Sequence, residues 1–264
     1  MTAKVYKTYR DLKTTLGQLD ATHELAELGL RYIVKAAADA ESFESFTATS
    51  SESFELNVRL KSPKAASRVL ALSGITTVHG CYESFITAFV AELAEFNFKH
   101  IDAAKKPKDI SKHDYFLTEL RRGSDALRGP QFELLGYTVD HFRLVRNAHV
   151  HRSCDKISEM ERLRKKMANS GEWSSVFNRR PYPSHFDDVC YPDFLLHTHA
   201  ARLLAKRIAE SHLPTPELIL KHPDTLVYRQ SQPGKSHVKL GFYLRDRFAL
   251  DPESIATILS EPSL

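Results

Sequence analysis

Apolar residues recur at three- and four-residue steps along most of the chain. Val5, Tyr9, Leu12, Leu16 and Leu19, then Leu25, Leu28 and Tyr32, trace a helix from Lys4 to about Ala40, with Gly17 and Thr22 marking a candidate break. The Ser/Thr-rich stretch that follows, "ESFTATSSESFELNVRLKSP", ends in an alternation of Phe54, Leu56, Val58 and Leu60. This predicts a loop with a short strand near residues 41–63, inserted between helices.

Pro63 is well placed to open a helix, and the pattern runs on to about His100 with more apolar surface than one face can hold. Shorter helices are predicted over 115–122, from Gln131, over the charged run "SEMERLRKKMANSGEW", and from Pro192 to Ser211. The one starting at Gln131 carries Leu134, Leu135, Val139, Phe142 and Val145 as its buried stripe. Beyond Leu213, "TLVYRQSQPGKSHVKLGFYL" predicts a hairpin around Pro233 and Gly234, followed by a helix that starts at Asp251. The expected fold is therefore all-α, an up-and-down bundle over residues 1–212 with a C-terminal extension over 213–264.

Composition narrows the function classes only modestly. The 264 residues are 42% hydrophobic and 27% charged, as in an ordinary globular chain, and a net charge of +4 permits anionic partners without demanding one. Cys81, Cys154 and Cys190 are odd in number and far apart, which predicts a reducing compartment. No apolar run reaches the ~20 residues of a membrane span, so a cytoplasmic protein with no membrane partner is expected.

The chemistry is concentrated in "LVRNAHVHR", residues 144–152. At about 100° per residue, Arg143, Asn147 and His151 share one stripe of a helix, and Arg146 lies beside it, long enough to bring its guanidinium to the same point. Histidine can move a proton near neutral pH and arginine can stabilise the charge gained by a five-coordinate phosphorus, so the set suits phosphodiester chemistry and requires neither metal nor cofactor. The competing reading is a solvated cationic helix end, where positive charge favours the dipole.

"RNAHVH" at the end of an amphipathic helix resembles the signature of the HEPN superfamily: an Arg, a polar residue, and a His after a spacer of four to six residues. "GCYESFITAFV" in the earlier helix is similar to the aromatic, acidic first half of the ribonuclease-like branch. The resemblance implies a four-helix bundle that dimerises so that two motifs face one cleft. It also implies metal-independent RNA cleavage, in which a ribose 2′-hydroxyl attacks the adjacent phosphate to leave a 2′,3′-cyclic phosphate and a 5′-hydroxyl.

By position, the resemblance makes Arg146, Asn147 and His151 the catalytic set, with Arg143, His149 and Arg152 as RNA contacts. It further implies a toxin or antiviral defence role with an antitoxin or defence-system partner. A HEPN-type module that binds RNA or a protein without cutting is the alternative. Ser153 stands where HEPN toxins modified by a partner nucleotidyltransferase carry Tyr, which places that regulation in doubt.

Other clusters carry less. His197 and His199, two apart on a helix, diverge by about 200° and cannot present to one metal ion. Lys105–Lys108 and "RLRKK" read as solvated basic runs, and Trp173 as packing.

Overall fold

The computed structural model describes residues 1–96, 98, 101, 105–152, 155–231 and 237–260. Among these the protein is an all-α helical bundle without strands. Its helices are α1 (Lys7–Ala36), α2 (Phe43–Glu52), α3 (Pro63–Glu95), α4 (Lys112–Arg122), α5 (Pro130–His151), α6 (Ile157–Ala168), α7 (Trp173–Phe177), α8 (Tyr191–Glu210), α9 (Pro216–Leu220), α10 (Pro223–Ser231), α11 (His237–Phe248) and α12 (Pro252–Leu259). None of them is long and apolar enough to cross a membrane.

The chain forms two compact units, one of residues 1–14, 82–133 and 202–264 and the other of 15–81 and 134–201. In the first, the start of α1 is fixed by a carboxylate. Glu92 of α3, only 6% exposed, accepts hydrogen bonds from the Lys7 and Thr8 backbone N–H groups at 2.7 and 3.0 Å and from the Thr8 hydroxyl at 2.6 Å. Those backbone donors have no partner within the helix, so one buried charge and a helix terminus satisfy each other.

Aromatic packing surrounds this cap. The Tyr6 ring meets Phe89 and Phe96 edge-on at 4.8 and 5.5 Å, its hydroxyl donates to the His212 carbonyl, and Phe96 packs on His222 at 4.6 Å. The described residues between 213 and 260 form α9 to α12 in place of the expected strands. Leu240, Leu244 and Phe248 are buried at four-residue steps, a helical period that outweighs the β-branched and aromatic content of the segment. Residues 232–236, including Pro233 and Gly234, lie outside the described residues.

In the second unit the stripe expected of α5 is buried throughout, with Leu134, Leu135, Val139, Phe142 and Val145 no more than 2% exposed. The Ser/Thr-rich segment corrects its expectation, since residues 43–52 form α2. Ser42 starts it by accepting from the Ser45 N–H at 3.0 Å, a capping bond that a run of serines supplies readily. Nor does α1 break. Gly17 lies inside a continuous helix, with nothing within 4 Å of where its Cβ would be.

Side chains of α8 and α1 crowd Gly74 of α3. A Cβ there would lie 2.5 Å from Phe194 Cδ2 and 2.9 Å from His23 Cε1. Gly80, two turns on, faces open space. Gly74→Ala is therefore expected to lower the unfolding free energy by about 1 to 3 kcal/mol through overpacking, whereas Gly80→Ala raises it by about 1 kcal/mol through helix propensity. Urea titration of the two variants beside the parent chain measures both signs.

Candidate functional site

The motif occupies the last two turns of α5, and its geometry follows from what the opposite face buries. Thr138, His141, Phe142, Val145 and Ala148 are all under 5% exposed, while His149, Val150, His151 and Arg152 are exposed and Arg143, Arg146 and Asn147 are half-buried. Phe142 stacks on His197 of α8 at 4.8 Å, and His197 stacks in turn on His79 of α3 at 5.9 Å. Truncating a buried Phe of this kind costs about 3 to 5 kcal/mol, so the rotation of α5 about its axis is firmly set.

Arg146 Nη1 donates to Asn147 Oδ1 at 2.9 Å. The two residues are successive and so about 100° apart around the axis, yet the length of the arginine brings its guanidinium onto the stripe that Asn147 shares with His151. The bond engages one of the two lone pairs of the amide oxygen, and the amide NH2 is available to donate to a third group. Arg146 Nε is buried and has no hydrogen-bond partner among the described residues. Arg68 Nε and Arg121 Nε are buried in the same way, so this feature alone does not set Arg146 apart, and an approaching group meets the outer nitrogens of its guanidinium.

Arg143 is differently placed. Its Nε donates to Asp140 Oδ1 at 2.6 Å, one turn back, with both side chains under one-fifth exposed, so its charge is already matched within the helix. Arg152 ends the helix at φ +50°, a left-handed backbone that costs an L-residue on the order of 1 kcal/mol and that glycine usually supplies. Among the expected RNA contacts, His149 and Arg152 are thus exposed with His151, while Arg143 is held by Asp140. Ser153 and Cys154 lie outside the described residues.

A second polar cluster, which the spacing of residues did not announce, joins α6 to the loop before α8. Glu161 Oε2 pairs with Arg164 Nη1 at 2.7 Å, and Glu161 Oε1 lies 2.9 Å from His185 Nδ1. Arg164 Nε donates to the Pro183 carbonyl at 2.7 Å. Partial burial works to raise the Glu161 pKa, but Arg164 and His185 outweigh it and hold the carboxyl below its usual value. The Glu161 and Arg164 spacing was visible on the helix; His185, 24 residues on, was not.

The remaining candidates fall into packing roles. His197 is enclosed by Phe142 and His79, whereas His199 contacts Phe177, so the two diverge as their spacing requires. Among the described residues no three His, Cys, Asp or Glu side chains are grouped to hold a metal ion. Burial pushes both the Cys81 and Cys190 thiols above their ordinary pKa, which opposes a nucleophilic role. Trp173 packs on Phe177 and Tyr182 and donates from Nε1 to the Arg180 carbonyl at 2.8 Å.

Compared with protein-family models, with curated proteins and with solved structures, the chain matches none.

His141, one turn before Val145, gives a stability test of the helix that carries the motif. Burial, the largest influence, and the nearby Arg164 lower its pKa to about 4, against weaker raising contributions from the Met160 backbone and Glu161. The native state then holds this histidine neutral while the unfolded chain takes up a proton near pH 6.5. The resulting stability is complete above about pH 6.5 and is lost as pH falls toward 4. Unfolding free energy is expected to drop by about 2 kcal/mol between pH 7 and pH 5 from this group alone. Burial also lowers the pKa of His23, His212 and His222, so denaturant titrations at the two pH values should show a drop at least that large, and His141→Leu should reduce it by about 2 kcal/mol.

Proposed function

We propose that the protein is a metal-independent endoribonuclease of HEPN type, with Arg146, Asn147 and His151 as its catalytic set. The observation that carries this reading is the Arg146 to Asn147 hydrogen bond. It brings a permanent cation and an amide donor together on the helix face where His151 stands exposed, one turn further on.

The chemistry follows from these groups. A phosphodiester at the helix end meets the outer edge of the half-buried Arg146 guanidinium and the Asn147 amide N–H donors. As the ribose 2′-oxygen bonds to phosphorus, the extra negative charge develops within reach of that guanidinium. This is where electrostatic stabilisation has its largest effect. His151 takes the 2′-hydroxyl proton or delivers one to the departing 5′-oxygen; the bond to that oxygen breaks and a 2′,3′-cyclic phosphate remains.

One chain offers a single motif histidine at position 151. Pairing two chains supplies one for the base and one for the acid, which makes a homodimer part of the reaction. His149 and Arg152, exposed beside the set, contact flanking phosphates. The compartment is the cytoplasm and the role is in defence or growth arrest, with an antitoxin or defence-system protein as regulator.

The test is incubation of the full chain with total RNA in EDTA, followed by end-group analysis. Cleavage should leave cyclic-phosphate ends. His151→Ala should reduce the rate by about 10² to 10⁴ and Arg146→Ala by about 10² to 10³, each with unchanged helicity. Variants that cut as fast as the parent would remove the assignment, and binding of RNA without cleavage would favour a non-catalytic HEPN-type module.

A further inference from the structure

The second half of α1 has two faces, and only one is used. Leu19, His23, Ala26 and Leu30 form the half-buried side, where the His23 ring lies 4.4 Å from Phe194. On the other side Leu25, Leu28 and Tyr32 are 69%, 64% and 74% exposed. With Gln18, Ala21 and Lys35, also exposed, these positions step 3, 4, 3, 4, 3 along the chain. That is the spacing of a coiled-coil seam, kept for two and a half heptads on the outside of a continuous helix, with Leu25, Leu28 and Tyr32 as its large apolar positions and Gln18 and Lys35 at its ends.

The residues flanking the seam specify what fits it. On one edge stand Glu24 and Arg31, both exposed; on the other stand Thr22, Gly29 and Ala36. From these we infer that α1 pairs antiparallel with α1 of a second copy of this chain. In that register Leu25 opposes the partner's Leu28, and small Ala21 opposes the partner's large Tyr32. Glu24 reaches the partner's Arg31, and the two-fold axis repeats each contact.

A parallel pair would set Tyr32 against the partner's Tyr32 and place Glu24 beside the partner's Gly29, matching neither size nor charge. Gly29 supports the close approach. A Cβ there would meet nothing within 4 Å, so no packing within the chain calls for a residue that weakens a helix interior. In the pair it faces the partner's Thr22 and lets the backbones come together. Arg31 is also paired with Glu27 of its own helix at 2.9 Å, so in the dimer its guanidinium is shared between Glu27 and the partner's Glu24. The inference rests on the ribonuclease reading only in that both call for a second chain, and it stands or falls by contacts that cleavage does not involve.

Analytical ultracentrifugation of the full chain should give twice the 30.0 kDa chain mass. Leu28→Asp, at a solvent-facing position, should weaken the dimer at least tenfold with helicity unchanged by circular dichroism. Glu24→Arg and Arg31→Glu, each placing like charges together, should each weaken it as well. An equimolar mixture of those two variants should restore it, because both cross pairs then carry opposite charges.

A parent chain that remains monomeric, a dimer insensitive to Leu28→Asp, or charge variants that fail to recombine would each overturn the pairing. Cleavage assays on Leu28→Asp separate the two readings. A persisting dimer counts against this interface whatever the activity, and an intact interface without cleavage by the parent counts against the nuclease alone.

Discussion

The orientation of α5 depends on a stack of rings. Phe142 lies on His197, His197 lies on His79, and the three come from α5, α8 and α3. Because Phe142 is fully buried, the helix cannot turn about its axis without opening a cavity the size of an aromatic ring. Everything at its C-terminal end inherits that rotation. Asn147 and His151 emerge together, Ala148 turns inward, and Arg146 leaves the helix from the flank.

This constraint explains why the motif residues are not equivalent although all are polar and close in sequence. Arg143 lies one turn nearer the stack, where burial favours a matched charge, and Asp140 provides it. Arg146 is at the boundary, with Nη1 engaged by Asn147 and Nε buried without a partner among the described residues. His149 and His151 are beyond the packed region. A gradient from committed to available polar groups thus runs along two turns of one helix, and the available end is where an anion can approach.

Much of this was legible beforehand because it rests on period and propensity. The stripe from Leu134 to Val145 has only one helical face on which to lie, and the long apolar run of α3 requires several neighbours. Short-range geometry placed Arg146 within reach of Asn147, as observed. Other features depend on pairings that no local pattern encodes. The serines of α2 favour caps and loops equally, and a capping bond from Ser42 decided for helix. The segment around Leu226 to Leu244 mixes β-formers with a four-residue apolar period, and packing selected the period. His185 meets Glu161 across a loop whose course only the folded chain reveals.

The same distinction clarifies what one motif can do alone. Arg146 and His151 are five residues apart, about 140° around the axis and roughly 7.5 Å along it. Without help, two such groups on a rigid helix would face different directions. The bond to Asn147 draws the guanidinium back toward the histidine's face, and so converts two divergent side chains into one polar surface. In the proposed reaction that surface would hold a phosphate from one side only. An in-line displacement needs a proton acceptor on the attacking oxygen and a proton donor on the leaving oxygen, at opposite ends of the phosphorus. With His151 at one end in the proposed reaction, its counterpart would come from outside this helix, and the proposed pairing along α1 is a route by which a second chain, bearing its own His151, would be held to the first.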